Sequence, residues 1–291
     1  MKIALGTVQF GLEYGVANQK GQVFEYEAKK IIEYAKEHNI DTIDTAIGYG
    51  DSEQCLGSIG VKNWEIITKI PEIPQNCKDI NSWIDDQFME SLNRLKVNNV
   101  KGLMLHRPMQ LVDSIGQEIW LKMKDLKKKK LVDKIGFSIY APEELDKLYV
   151  DFHPDIIQAP FNIFDQRLKT SGWLEKLYND GVEVHIRSVF LQGLLLMNKD
   201  TRPSKFNAWK ELWEKWDQYL IDKKITPLEA SLGFVIKERM IDSAVLGFDT
   251  IQHIQEIVSL LNTQVQIDND ANMFNTTDQN LINPSNWCKL R

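Results

Sequence analysis

Short apolar runs alternate with longer amphipathic stretches along almost the whole chain. Eight runs predict strands: "KIALG" (2–6), "IDTIDTA" (40–46), "WEIITKI" (64–70), "VKGLMLH" (100–106), "DKIGFS" (133–138), "DIIQAPF" (155–161), "VEVHIRS" (182–188) and "DSAVLG" (242–247). Helical periodicity lies between them. Ala28, Ile31, Ile32 and Ala35 repeat at i, i+3, i+4, i+7, and Ile80, Ile84, Phe88, Leu92 and Leu95 form a second stripe. Further helices are predicted near 115–130, 142–149, 170–180, 206–223, 227–239 and 250–261, with Pro142 and Pro227 in first turns and Thr226 as a cap. Strands that alternate with helices pair in parallel, because a parallel neighbour needs a crossover. Eight such units in 291 residues predict a closed (β/α)8 barrel, an α/β fold of the TIM type. The open doubly wound sheet is the alternative, and it loses ground because no G-x-G-x-x-G follows the first strand. No Pro-, Gly- or Ser-rich linker interrupts the pattern, so residues 1–291 read as one domain.

Polar residues at the strand ends change the picture. Asp44 shares a side of its strand with Ile40 and Thr42, Lys69 with Glu65 and Ile67, and His106 with Gly102 and Met104. Turning the larger apolar residues of these strands toward the helices points all three ionisable residues into the barrel, at the C-terminal mouth where active sites of this fold sit. Tyr49 follows Asp44 by five residues. Taken singly, a strand-end Asp is a turn former, a lone His a satisfied core residue, and Lys69 before Ile70-Pro71 a side chain that snorkels to solvent. Their recurrence on consecutive strands favours a site. An ammonium beside a phenol draws its pKa down from about 10, a carboxylate orients the lysine, and an imidazole positions a carbonyl oxygen. That set suits general acid catalysis on a developing alkoxide.

Composition narrows the partners. The charged share of 26% and hydrophobic share of 43% are those of a water-soluble globular protein, and the formal charge of −6 gives no basic footprint for nucleic acid. Cys55, Cys77 and Cys288 lack C-x-x-C spacing and read as free thiols, and no apolar run reaches the length of a membrane span. The expectation is a cytoplasmic protein with no membrane partner. The five histidines show no H-x-H pair, which weakens a metal-dependent hydrolase.

With these residues in view, the chain resembles the aldo-keto reductases. The likeness rests on "DTAIGYG" (44–50), "ITK" (67–69) and "LMLHRP" (103–108), and continues through "LGTVQFG" (5–11), "IGFS" (135–138), "IIQAPFN" (156–162), "SVFLQGLL" (188–195) and "LGFDT" (246–250). The resemblance implies reduction of an aldehyde or ketone by NADPH, with NADH as the other possible cofactor, and no metal. By position it implies Tyr49 as proton donor, Lys69 and Asp44 as its tuning pair, and His106 as the substrate-orienting residue. It likewise implies Ser138 and Gln158 at the carboxamide, Gly6 and Thr7 near the nicotinamide ribose, Ser188 near the pyrophosphate, and Gly247, Thr250 and Glu256 along the adenosine end. Three departures stand out. Ile139 follows Ser138 where relatives carry Asn, Arg187 occupies the place of an aromatic that stacks on the nicotinamide, and residues 247–257 hold Asp249 and His253 in place of a basic 2′-phosphate clamp. A regulatory barrel that binds cofactor with little turnover is the rival reading, opposed by the intact four-residue set.

Three features stand apart from that set. The lysines of "DLKKKKLVDK" (125–134) read as a solvated helix end. The stripe Phe206, Trp209, Trp213, Trp216, Tyr219–Leu220 reads as packing over the barrel, with a pocket roof or subunit contact as alternatives. The tail 263–291 either closes over the pocket, with Trp287 touching it, or is disordered, or wraps across the barrel.

Overall fold

All eight strands form and close into one ring. A computed structural model describes residues 1–263 and 269–290. The strands are β1 (Lys2–Gly6), β2 (Thr42–Asp44), β3 (Glu65–Ile70), β4 (Val100–Leu105), β5 (Val132–Ser138), β6 (Ile156–Pro160), β7 (Glu183–Arg187) and β8 (Ser243–Gly247), paired in sequence order with β8 returning to β1. Every pairing is parallel, and the closing register runs from Lys2 opposite Ser243 to Gly6 opposite Gly247. The helices are α1 (Glu25–Glu37), α2 (Ser52–Ile59), α3 (Ile80–Leu95), α4 (Gly116–Lys128), α5 (Glu143–Leu148), α6 (Arg167–Thr170), α7 (Trp173–Asn179), α8 (Lys210–Lys223), α9 (Pro227–Ile236), α10 (Ile251–Thr263) and α11 (Gln279–Ile282). Among the described residues no helix is long and apolar enough to cross a membrane.

The alternation of side chains along each strand divides the core. Ile67, Met104 and Ile156 form a separate buried cluster, while Ile66, Leu103, Leu105 and Ile157 join the large cluster shared with the helices. Lys69 and His106 carry the parity of Ile67 and Met104, which fixes their side of the strands.

Several boundaries differ from the sequence pattern, each for a local reason. Helix α2 carries no apolar stripe to announce it, because its first turn is anchored by polar contacts. Ser52 Oγ donates to the Thr7 carbonyl at 2.8 Å, and Glu53 accepts from Thr68, Ser91 and Arg94. The helix predicted over 170–180 divides into α6 and α7 at Gly172, whose φ of +83° a side chain tolerates poorly. Residues Ser204–Trp209 wind as a 3₁₀ turn before α8 begins. Pro142 caps α5 from outside, whereas Pro227 lies in the first turn of α9 behind a Thr226–Glu229 capping box.

The aromatic stripe packs into a second core. Phe206, Trp213, Trp216 and Tyr219 meet Phe164, Phe274 and Trp287, with Trp287 edge-on to Phe206 at 4.9 Å. At the end of α4 the lysine run is laid over acids, Lys127 to Asp155 at 2.7 Å and Lys129 to Asp125 at 2.7 Å.

Candidate active site

Asp44, the last residue of β2, is 2% exposed and has both carboxylate oxygens engaged. Lys69 Nζ donates to Oδ1 at 2.7 Å and to the Thr45 carbonyl at 2.9 Å. Gln158 Nε2 donates to Oδ2 at 2.7 Å, and Ser138 Oγ lies 3.4 Å from Gln158 Oε1. Side chains from β2, β3, β5 and β6 thus form one chain of contacts inside the barrel. A buried ion pair of this kind holds its geometry because every remaining polar atom also has a partner. Burial lowers the Lys69 pKa, and the Asp44 carboxylate beside it works in the opposite direction.

Tyr49 reaches this network from the loop after β2. Its ring centroid lies 5.1 Å from Lys69 Nζ, and His106 meets the ring edge-on at 5.6 Å. Glycine makes that placement possible. A Cβ on Gly11 would fall 1.9 Å from the Tyr49 carbonyl oxygen, and Gly50, at φ +54°, would bring its own Cβ within 2.4 Å of the Gly11 carbonyl. The "FG" after β1 and the "YG" after β2 therefore fit each other, which is why a phenol stands beside a glycine. His106 continues the β4 ladder, its N–H donating to the Ile70 carbonyl at 2.9 Å.

The electrostatics reverse one expectation. Tyr49 is raised well above the usual phenol pKa, first by burial and then by the Asp44 charge. Lys69 does not draw it down, because its ammonium is already paired with Asp44 at hydrogen-bond distance. The phenol is therefore fully protonated at neutral pH. Burial, with Lys69, Arg187 and Arg107 nearby, holds the His106 imidazole down to about 3, so it is neutral as well.

A cleft of about 360 Å³ leads outward from Tyr49. Gly6, Thr7, Asp44, Gln158, Arg187, Ser188 and Gly247 line it, together with Gln9, Asp249 and His253 at its far end. Thr7 Oγ1 donates to the Asp44 carbonyl at 3.0 Å. Gln9 Oε1 and Asp249 Oδ1 are buried there with no hydrogen-bond partner among the described residues. Burial raises the Asp249 carboxyl, against the pull of His253, Gln9 and Lys20. Two loops meet across the cleft: Val16 N donates to the Gln192 carbonyl at 3.1 Å, and Gln192 Nε2 to Tyr14 Oη at 3.1 Å. The loop after β7 also holds Ser188, Leu191 and Gln192 at positive φ, a strained conformation for non-glycine residues that clusters where function constrains the backbone.

Not every expected residue joins the cleft. Ser138 is buried behind Gln158. Thr250 lines an adjoining groove with Lys20 and Asp249, and Glu256 is exposed on another groove shared with His253. Trp287 belongs to the second core and is absent from the lining of the cleft. Tyr14, Tyr140 and Gln192 had no periodicity to reveal them; all three lie on loops.

Residues 2–275 match the family model of the aldo/keto reductases. The chain belongs to the aldo/keto reductase family. Its members are oxidoreductases, and the match spans the whole ring of strands. Aldo-keto reductase AKR11C1 from Bacillus halodurans, in its holo form, superimposes with a TM-score of 0.73 at 18% identity, over 94% of this chain and 90% of that one. A Pseudomonas aeruginosa protein classed among the aldo-keto reductases gives 0.67 at 20% identity, over 91% and 90%. These likenesses carry the fold. No curated protein matches the chain in sequence.

Proposed function

We propose that this aldo-keto reductase reduces an aldehyde or ketone to an alcohol with NADPH or NADH, using Tyr49 as the proton donor. The observation that carries the reading is the Tyr49 phenol lining a cleft, with the Lys69 ammonium 5.1 Å from its ring centroid and the His106 imidazole edge-on to it at 5.6 Å. Residues along the cleft fit a dinucleotide. Gly6 and Gly247 leave its floor without side chains, Gln158 presents an amide at the inner end, and Gln9 Oε1 and Asp249 Oδ1 stand unpartnered at the outer end. When bound, a reduced nicotinamide supplies the hydride.

The chain's own residues do the rest. Neutral His106 has an N–H available to donate to the carbonyl oxygen and fix its position. As the carbonyl carbon gains hydride, its π electrons move to oxygen, and the Tyr49 O–H bond breaks to give that oxygen its proton. A phenol is intrinsically a stronger acid than an alkanol, which favours transfer of its proton to the developing alkoxide. The phenolate left behind forms beside Lys69, which Asp44 keeps charged and in place. The three cysteines are free thiols, in keeping with a reducing compartment.

The test is a panel of carbonyl compounds assayed with NADPH and with NADH, followed by single-turnover kinetics of Tyr49→Phe. That variant keeps the ring and loses the proton, so cofactor affinity should hold while the chemical step slows by roughly 10²–10⁴. A wild-type chemical rate in Tyr49→Phe removes Tyr49 from the mechanism. Cofactor binding without turnover on any carbonyl would favour the regulatory barrel.

A further inference from the structure

Two arginines next to the cleft have no carboxylate partner among the described residues. Arg107 follows His106 directly, and Arg187 ends β7 and lines the cleft with Tyr49. Both guanidinium groups lie against one ring: the Tyr140 centroid is 4.6 Å from Arg107 Cζ and 4.7 Å from Arg187 Cζ. The ring is held from both sides of its backbone. Tyr140 N donates to Glu144 Oε1 at 2.7 Å, and the Tyr140 carbonyl accepts from Arg167 Nη2 at 3.2 Å. Arg187 is itself fixed, donating to the Ile139 carbonyl at 3.0 Å and to Ser188 Oγ at 3.3 Å.

Other arginines of this molecule show what such groups ordinarily do. Arg94 pairs with Glu53, Arg167 with Asp165 and Arg202 with Asp217. Among the described residues no carboxylate comes within ion-pair distance of Arg107 or Arg187. The acid whose field they share, Glu144, spends Oε1 on the backbone N–H groups of Tyr140 and Ala141. Each guanidinium is attracted to the ring, but the two like charges repel one another, and an anion held between them would relieve that repulsion. Both arginines also act on His106, lowering its pKa, so they stand within electrostatic reach of the reacting centre.

We propose that Arg107 and Arg187, braced on Tyr140, form an anion subsite, and that the substrate is a carbonyl compound carrying a carboxylate or phosphate a short chain away. The planar fork of a guanidinium accepts either anion through paired N–H donors. The proposal rests on the reductase reading given above, since it assigns the carbonyl end to Tyr49 and His106. It makes Arg187 a substrate contact as well as a lining residue of the cofactor cleft.

Matched pairs of aldehydes test it: 4-oxobutanoate against butanal, and glyceraldehyde 3-phosphate against glyceraldehyde. With wild-type protein, kcat/KM should favour the charged member of at least one pair by about tenfold or more. The favoured pair identifies the anion. Arg107→Gln should shrink that ratio mainly through KM, Arg107→Lys should restore part of it, and added salt should weaken it. A ratio near one in the wild type, or one that Arg107→Gln leaves unchanged, overturns the subsite. Calorimetric titration with succinate and with inorganic phosphate, in the presence and absence of cofactor, gives a readout independent of turnover. If none of the four aldehydes is reduced, the carbonyl panel decides the reductase reading and the titration alone decides the subsite. Saturable binding that Arg107→Gln weakens supports the anion site, and no saturable binding overturns it.

Discussion

At the inner end of the cleft Asp44 has a partner for each oxygen, Lys69 for one and Gln158 for the other, while at the outer end Asp249 Oδ1 and Gln9 Oε1 have none among the described residues. Both ends carry a carboxylate close to the strand mouths. The inner carboxylate is 2% exposed and locked into the barrel; the outer one lies on a loop after β8 that also borders a solvent-facing groove. The difference teaches where each group's partner is to come from. Inside the barrel water is excluded and the protein must supply every hydrogen bond itself, so the geometry is built in before any ligand arrives. At the outer end the protein leaves hydrogen-bond capacity open for a ligand to complete.

The largest test of this contrast is stability. Lys69→Met should leave the Asp44 charge buried with a single remaining side-chain partner and destabilise the fold by about 3–5 kcal/mol. Asp249→Asn should change it by less than about 1 kcal/mol. Urea unfolding followed by tryptophan fluorescence measures both, and equal losses would erase the distinction between the two ends.

Next comes the glycine contact that sets Tyr49. Gly11→Ala must push the loop after β1 away from the Tyr49 carbonyl, and a displacement of about 1 Å at the phenol costs on the order of 100-fold in turnover. Overall stability and cofactor affinity should fall much less. Turnover within twofold of wild type would show that the loop yields without moving the phenol.

Acid titration probes the inner end more gently. Unfolded, an imidazole binds its proton near pH 6.5; folded, His106 does so only near about 3. Between those values the unfolded chain holds the extra proton, so the contribution is intact above about pH 6.5 and lost as pH falls through the window. The slope reaches at most about 1.4 kcal/mol per pH unit. Unfolding free energies of wild type and His106→Gln between pH 7 and 5 should diverge with this sign, and parallel curves would contradict it.

The smallest effect belongs to the outer end. A carboxylate at a ribose favours the free 2′-hydroxyl and repels a 2′-phosphate, while Lys20 on the adjoining groove offsets part of that repulsion. Asp249→Asn should therefore shift relative affinity toward NADPH by roughly tenfold, the equivalent of about 1.4 kcal/mol. Fluorescence titrations of both cofactors read it directly. A wild-type preference for NADPH above about a thousandfold would mean that Asp249 does not face the ribose.

Periodicity by itself determined the ring. Apolar alternation located every strand, because each must bury side chains on both faces of the barrel, and the same alternation put Asp44, Lys69 and His106 on the inner side. It could not find α2, whose contacts through Ser52 and Glu53 are polar, nor where α6 gives way to α7. Glu256 and Thr250 fell on the chain near the last strand, yet only the fold shows them facing grooves beside the cleft. Trp287 lay in a tail of unknown path until the second core gathered it.

The ionisation of the site was likewise settled in three dimensions. Residue types alone put an ammonium near a phenol and implied a lowered pKa. The fold spends that ammonium on Asp44, buries the phenol, and raises its pKa instead. Sequence spacing says which groups can meet. Their charge states depend on distance, burial and prior partners, which are properties of the packed barrel and not of any segment within it.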